Sequence, residues 1–317
     1  MDQPLRLRGC ITFPYDLWCK KEALCVYQSA INGKRIFLSF PQYNAPLPGA
    51  QSSEVMLPLL PPKFAETWKL KNGSPIDWGM PWEYPSGNSC VNKAVMFVEC
   101  VEKEIDSFAQ LIYQSFDEWL SRFLTYCMLC NKQEIYTTSG PKMKGRYIEL
   151  FDKEKIHPQD NTIMFEVELR NESSYLSRQH ITNACLYASS NKELLIEYQL
   201  LLSSYHALSG AQNRQAIIDA AAAIELCLVK QINLYCTSKG INPDILVKKY
   251  RTLGDRVDLM QMIDSSIIQY DLKGKVVIPR NDIAHNKDIA PSKKTASDVI
   301  SSVENCLKKY YVDFYEH

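Results

Sequence analysis

An arginine and a histidine lie five positions apart near the C-terminus, in the segment 278–285 with the sequence IPRNDIAH. An arginine guanidinium can bind a phosphate through two parallel hydrogen bonds. A histidine imidazole can transfer protons near neutral pH. These two residue types are together sufficient to cleave RNA without a metal ion, so Arg280 and His285 are the candidate catalytic pair.

A second interpretation of the same residues needs no chemistry. Arg280 can be a solvated residue in a first helical turn, and His285 can be a buried, hydrogen-bonded histidine. Catalysis is favoured because no other Arg in the chain is followed by a His after four to six residues, and because this pair opens a short helix between amphipathic helices. An α-helix turns about 100° per residue, so the two side chains are about 140° apart around one axis. Two copies related by a two-fold axis would bring both residue types into one cleft.

The distribution of proline separates two halves of different predicted structure. Thirteen of the 16 Pro precede residue 160, whereas Pro243, Pro279 and Pro291 each stand where a helix would begin. The chain is therefore predicted to be α+β. A mixed α/β N-terminal domain at 1–172 is followed by a connector and by an all-α helical bundle at 190–317.

The N-terminal half contains signals for strands and for one long helix. Asn32-Gly33 lies between two β-prone runs, 24–29 and 34–40, and predicts a hairpin. Apolar residues recur at three- and four-residue steps over 103–130, which predicts an amphipathic helix. Further strands are predicted at 91–101, 146–151 and 162–169.

The C-terminal half contains helix signals throughout. Ser190-x-x-Glu193 has the form of a capping box and predicts a helix that ends near Gly210. A second helix is predicted at 213–237, where the run Ala220–Ala223 permits close approach of a neighbouring helix. Shorter helices follow, and the last helix carries a continuous apolar stripe, which predicts packing in a bundle.

Residues 190–317 resemble a HEPN domain, the small helical bundle of many prokaryotic toxin and defence ribonucleases. The segment Arg280–His285 matches the R-x(4–6)-H signature of that family, with Asn281 as the polar residue that often follows the Arg. Ala216–Leu228, with Ala223-Ile224-Glu225 at its centre, is similar to the family's second helix. Residues 1–170 have no comparable match.

The resemblance implies a metal-independent endoribonuclease that needs no cofactor and whose active cleft forms at a homodimer interface of the bundle. His285 would take the proton from a ribose 2′-OH or protonate the leaving 5′-oxygen, and Arg280 would neutralise charge on the phosphate oxygens. Asn281 would orient His285 or the phosphate, and Lys287 would contact the RNA backbone.

The same resemblance implies a biological setting and leaves one competing hypothesis. The protein would be a toxin or abortive-infection effector in antiviral defence, with an antitoxin or a trigger protein as a further partner. The N-terminal half would sense the trigger or restrain the nuclease. The competing hypothesis is a non-catalytic HEPN-like interaction module, or scaffold.

The composition restricts these hypotheses. Lys+Arg and Asp+Glu both total 36, and residues 190–317 hold 16 basic and 15 acidic residues. The chain therefore has no general positive field, and contacts to RNA must come from local basic groups. Eleven scattered Cys, the lack of a signal-peptide pattern and the lack of a bilayer-length apolar run predict a cytoplasmic protein without a membrane segment.

Cysteine and histidine supply weaker candidates elsewhere. Cys127-x-x-Cys130 has the spacing of half a zinc site, but no second pair stands nearby, so packing in the core is predicted instead. His157, His180 and His206 lack a carboxylate or Cys at ligand spacing, and packing in a helix or loop is predicted for each.

Overall fold

The computed structural model divides the chain into two units, Met1–Lys192 and Glu193–His317. The described residues are 7–42, 57–58, 88–98, 100, 102–131, 148–152, 155–156, 175–190, 193–285 and 290–311. The first unit combines an antiparallel sheet with helices, and the second is mostly helical. The predicted α+β class is therefore confirmed.

A six-stranded antiparallel sheet forms the centre of the first unit. The strands in chain order are β1 (Leu7–Lys20), β2 (Val26–Ile31), β3 (Lys34–Ser39), β4 (Pro41–Gln42), β5 (Leu57–Pro58), β6 (Asn88–Val98), β7 (Ile148–Asp152) and β8 (Lys155–Ile156). The sheet order is β2-β3-β6-β1-β7-β8, and β4 pairs with β5 separately. The register of β1 against β6 shifts between Thr12 and Leu17, so the long strand β1 is irregular at this point.

The predicted hairpin is confirmed as β2 and β3. Asn32 and Gly33 have φ angles of 47° and 73°, as a two-residue hairpin turn with left-handed residues requires. The strand predicted at 91–101 corresponds to β6, and the one at 146–151 corresponds to β7. The strand predicted at 162–169 lies outside the described residues, and β1 has no counterpart among the predicted strands.

Two helices, α1 (Ile105–Asn131) and α2 (Arg178–Ser189), pack against each other and contact β2. The prediction of a long amphipathic helix is confirmed by α1. Its Trp119 and Phe123 rings stack with centroids 5.4 Å apart, and Phe123 stacks on Phe13 of the sheet at 6.0 Å. These aromatic contacts join the apolar face of α1 to the sheet core.

The second unit is built around one long helix. Its elements are α3 (Ile196–Ser209), α4 (Asn213–Ser238), α5 (Pro243–Lys249), α6 (Leu253–Ile263), a 3-10 helix (Ser265–Tyr270), a π-helical turn (Lys273–Val277), α7 (Ile278–Ala284) and α8 (Lys293–Tyr310). Helix α4 packs against α3 and α8 and contacts α5, α6 and α7. Its small residues Ala220, Ala221 and Ala223 are buried, which agrees with close approach of neighbouring helices.

The predicted capping box at Ser190 is wrong. Ser190 follows the last residue of α2, where its backbone N–H bonds the carbonyl oxygens of Leu186 and Tyr187. Helix α3 begins only at Ile196, after Leu195, which provides no side-chain cap. A capping box does exist one helix earlier, where Ser177 and His180 cap each other at the start of α2.

The described cysteines contribute to both cores. The nine cysteines whose side chains the structure describes are free thiols, and seven of them are buried: Cys19, Cys100, Cys127, Cys185, Cys227, Cys236 and Cys306. The prediction of core packing is confirmed for Cys127, whereas Cys130 is only half-buried. Among the helices in the described ranges, none is both long and apolar enough to cross a bilayer.

Candidate functional site

The candidate site lies on α7, which continues directly from the π-helical turn before it. Asp271 has left-handed φ and ψ angles of 46° and 46°, and its carboxylate accepts the backbone N–H of Gly274 at 3.2 Å. A Cβ atom on Gly274 would lie only 2.7 Å from that carboxylate, so a glycine fits here. The helical run that presents Arg280 therefore begins upstream of Pro279. A π-turn of this kind frequently accompanies functional sites.

Arg280 and Asn281 contact each other on α7. Both side chains are half-buried, and the Arg280 guanidinium Nη1 donates to Asn281 Oδ1 at 3.1 Å. The backbone carbonyl of Asn281 in turn accepts the backbone N–H of His285 at 2.9 Å. Asn281 thus connects the arginine to the end of the helix.

His285 lies at the C-terminal end of α7 and is exposed. The interpretation of His285 as a buried histidine is therefore wrong. Its imidazole forms no hydrogen bond or ion pair with the part of the chain that the structure describes, so it is not joined to the Arg280 side chain. Lys287, the predicted backbone contact, lies outside the described residues.

The first turn of α4 contacts the backbone on both sides of His285. Asn213 Nδ2 donates to the carbonyl oxygen of Pro291 at 2.9 Å. Arg214 Nη2 donates to the carbonyl oxygen of Ile283 at 3.4 Å, a long hydrogen bond. Asn213 and Arg214 were not among the predicted site residues. They lie about seventy positions from α7, and no spacing pattern connects them to it.

A cavity of about 390 Å³ opens beside this first turn of α4. Its wall includes Asn213, Arg214 and Ile218 of α4, together with Ala290 and Pro291 before α8. Because Arg214 also bonds the end of α7, the cavity adjoins the element that carries Arg280 and His285.

Charged groups on the elements around α7 form ion pairs. Glu225 of α4 pairs with Arg256 of α6. Lys273 of the π-turn pairs with Asp258 of α6 at 2.6 Å. These pairs hold α6 against α4 and the π-turn, and they reduce the positive charge that these two cations present to a ligand.

The remaining Cys and His candidates do not form a metal site in the described ranges. No group of three or more His, Cys, Asp or Glu residues there is placed to bind a metal ion. His180 caps α2, His206 is exposed on α3, and His157 lies outside the described residues.

Comparison with known proteins identified no relative of this chain. No protein-family model, no curated protein and no solved structure matches the chain.

Proposed function

We propose that the protein is a metal-independent endoribonuclease whose active site contains Arg280 and His285. The observation that carries the proposal is the exposure of His285 at the end of α7, five residues after an arginine that Asn281 holds in place. An exposed imidazole with no partner among the described residues is available for proton transfer, and a guanidinium is suited to bind a phosphate.

The proposed reaction uses the ribose 2′-hydroxyl as nucleophile. The 2′-oxygen attacks phosphorus, the bond from phosphorus to the 5′-oxygen breaks, and the products are a 2′,3′-cyclic phosphate and a 5′-hydroxyl. His285 takes the proton from the 2′-OH or gives one to the leaving oxygen, and Arg280 stabilises the charge on the phosphate. DNA should resist cleavage because it lacks the 2′-hydroxyl that acts as the internal nucleophile.

A homodimer through the helical unit is part of this proposal. An ideal α-helix would place positions 280 and 285 about 140° apart around its axis, so one copy of the helix is not expected to direct both side chains at one phosphate. A two-fold axis next to α7 would supply the missing side chain from the second copy. Ile278 on α7 is 57% exposed, which provides apolar surface for such a contact.

The proposed setting is a prokaryotic toxin or abortive-infection effector, with an antitoxin or trigger protein as a further partner. The similarity of residues 190–317 to the HEPN bundle supports this setting. The alternative is a non-catalytic interaction module, which is favoured by the nearly equal numbers of basic and acidic residues in the second unit.

Incubation of the purified protein with defined RNAs in EDTA tests the proposal. We expect cleavage with cyclic phosphate ends, and we expect His285→Ala to reduce the rate by about 10²-fold or more. His206→Ala, which removes an exposed histidine from α3 of the same unit, is the matched control and should cleave as the wild type does. Cleavage that requires a divalent cation, or equal cleavage by His285→Ala, would contradict the proposed mechanism. Intact RNA and equal bacterial growth with wild type and His285→Ala would favour the interaction module.

A further inference from the structure

We propose that a basic strip on the second unit binds the backbone of the RNA strand next to the proposed active site. The strip consists of Lys248 and Lys249 at the end of α5, Arg251 shortly after them, and Lys275 in the π-helical turn. All four residues are exposed. This inference rests on the proposed nuclease function and adds a surface for the substrate outside the segment from Arg280 to His285.

The cations of the basic strip have no carboxylate partner among the described residues, which separates them from neighbouring charges. Arg256 pairs with Glu225, and Lys273 pairs with Asp258. The carboxylate of Asp255 accepts a backbone N–H at the start of α6, at 3.2 Å. The acidic groups of α6 are thus bonded to groups outside the strip, and the charge of the strip remains available to an anionic ligand.

Local contacts orient two of these cations without neutralising them. Lys249 Nζ lies 5.5 Å from the centroid of the Tyr250 ring. Arg251 Nε donates to the carbonyl oxygen of Lys248 at 2.9 Å, and its two Nη atoms have no bonding partner among the described residues. A guanidinium held in this way still presents donors to a phosphate, which it binds better than a flexible ammonium does.

A close contact between α6 and the residue before α7 places the basic strip near Arg280. A Cβ atom on Gly254 would lie 3.5 Å from Val277 Cγ1. Arg251 precedes Gly254 by three residues, and Arg280 follows Val277 by three. Three residues of chain span at most about 11 Å, so both arginines lie close to this contact. Lys275, two residues before Val277, is closer still along the chain.

The cations of the strip and Arg280 also belong to elements that share one neighbour. Helices α5, α6 and α7 and the π-helical turn all contact α4. Exposed side chains on these elements therefore face solvent and not α4. Because the second unit has almost no net charge, such a local group of unpaired cations is what a contact to RNA requires. Contacts to phosphates carry no base information, so we expect binding without sequence preference.

The double variant Lys248→Gln/Lys249→Gln tests the strip, because glutamine is a comparable helix former and lacks the charge. The ligand is single-stranded 2′-O-methyl RNA, whose blocked 2′-oxygen prevents cleavage. We expect Kd to rise about 10-fold and the slope of log K against log salt to become shallower by about 1.4, since each phosphate contact of a single strand contributes about 0.7. Lys20→Gln/Lys103→Gln removes two exposed lysines from the first unit and is the matched control, with unchanged binding.

Lys275→Gln extends the test to the π-helical turn. We expect it to make the salt slope shallower by about 0.7, in addition to the effect of the double variant. In the cleavage assay with ordinary RNA, all these variants should raise KM and leave kcat nearly unchanged, because the strip binds the substrate away from the reacting atoms.

Equal affinity and equal salt dependence in the wild type and the triple variant would overturn the basic strip, even in an active nuclease. A lower melting temperature with unchanged affinity would do so too, because the lysines would then only stabilise the end of α5. Preference for poly-glutamate over RNA would overturn it in favour of an acidic protein partner. A wild type that cleaves no RNA, but whose binding weakens in these variants, would overturn the proposed function and support the strip.

Discussion

Asp264 shows how one carboxylate can make stability depend on pH. Hydrogen bonds from Lys309 and Ser266 outweigh the effect of burial and lower the pKa of Asp264 from 3.8 to about 2. Tyr310 also donates to this carboxylate, at 3.1 Å. Because the folded pKa is lowered, the stabilisation is complete above the ordinary pKa and disappears as the pH falls through the folded pKa.

We therefore expect Asp264→Asn to be less stable than the wild type at pH 5 and above, by on the order of 1 kcal/mol after screening by solvent. The difference should shrink between pH 4 and pH 2 and vanish below that range. Urea unfolding of both proteins at several pH values measures this difference in the free energy of unfolding. A difference that stays constant down to pH 2 would show that the ion pair is not its cause.

Glu197 is a fully buried carboxylate in the second unit. Burial alone would raise its pKa, but hydrogen bonds from Lys230 and Tyr311 lower it instead. Lys230 Nζ lies 2.6 Å from Glu197 Oε1, although the lysine side chain is 44% exposed. The pair therefore links α4 to α3, with the lysine partly at the surface and the carboxylate buried.

Lys230→Met should lower the free energy of unfolding by about 1–3 kcal/mol, because the buried Glu197 carboxylate loses its cationic partner. The loss stays in this range because the lysine is partly exposed and solvent weakens the ion pair. The double variant Glu197→Gln/Lys230→Met should recover most of this loss because no charge remains buried. Chemical denaturation provides the free energies of unfolding. A double variant that is as unstable as Lys230→Met would refute this explanation.

At the scale of residues, part of the candidate site could be predicted from the sequence. Arg280, Asn281 and His285 are close in the chain, so their spacing alone places them on one short helix. The hydrogen bond from Asn213 to Pro291 could not be predicted, because the two residues are 78 positions apart. Contacts of this kind follow from the packing of helices and leave no local pattern.

The π-helical turn and α7 act together as one element. We expect Gly274→Ala to destabilise the second unit by about 1 kcal/mol, because the added Cβ would displace the Asp271 carboxylate and remove its bond to the backbone N–H. Asp271→Asn, which keeps an acceptor and tolerates the left-handed conformation, is the matched control. Thermal unfolding of the two variants distinguishes the effects, and a Gly274→Ala variant as stable as Asp271→Asn would contradict this account.

Among the elements, those with strong local signals were predicted best. The Asn32-Gly33 hairpin and α1 follow from a turn type and from a helical period, both of which are local. Strand β1 also has a local signal, since the buried residues Leu7, Ile11, Leu17 and Cys19 all occupy odd positions. Pro14 and the irregularity between Thr12 and Leu17 interrupt that alternation, and both reduce its value for prediction.

At the scale of the whole molecule, each unit has its own core. Phe123→Ala should destabilise the first unit by about 3–5 kcal/mol, because its ring is fully buried between Trp119 and Phe13. Phe108→Ala, on the same helix but only half-buried, should cost clearly less. Amide exchange should show faster opening of the first-unit core in Phe123→Ala, with the amides of α4 unchanged. Equal acceleration throughout both units would show that they unfold together.

The buried thiols can report when the core of each unit opens. Burial raises the pKa of Cys19 and Cys185 in the first unit, and it raises the pKa of Cys227 in the second unit to about 12. Since the thiolate is the reactive form, an alkylating reagent modifies these cysteines only after the surrounding core has opened. The order in which these cysteines are alkylated during a slow denaturation would therefore show which unit unfolds first, without any engineered probe.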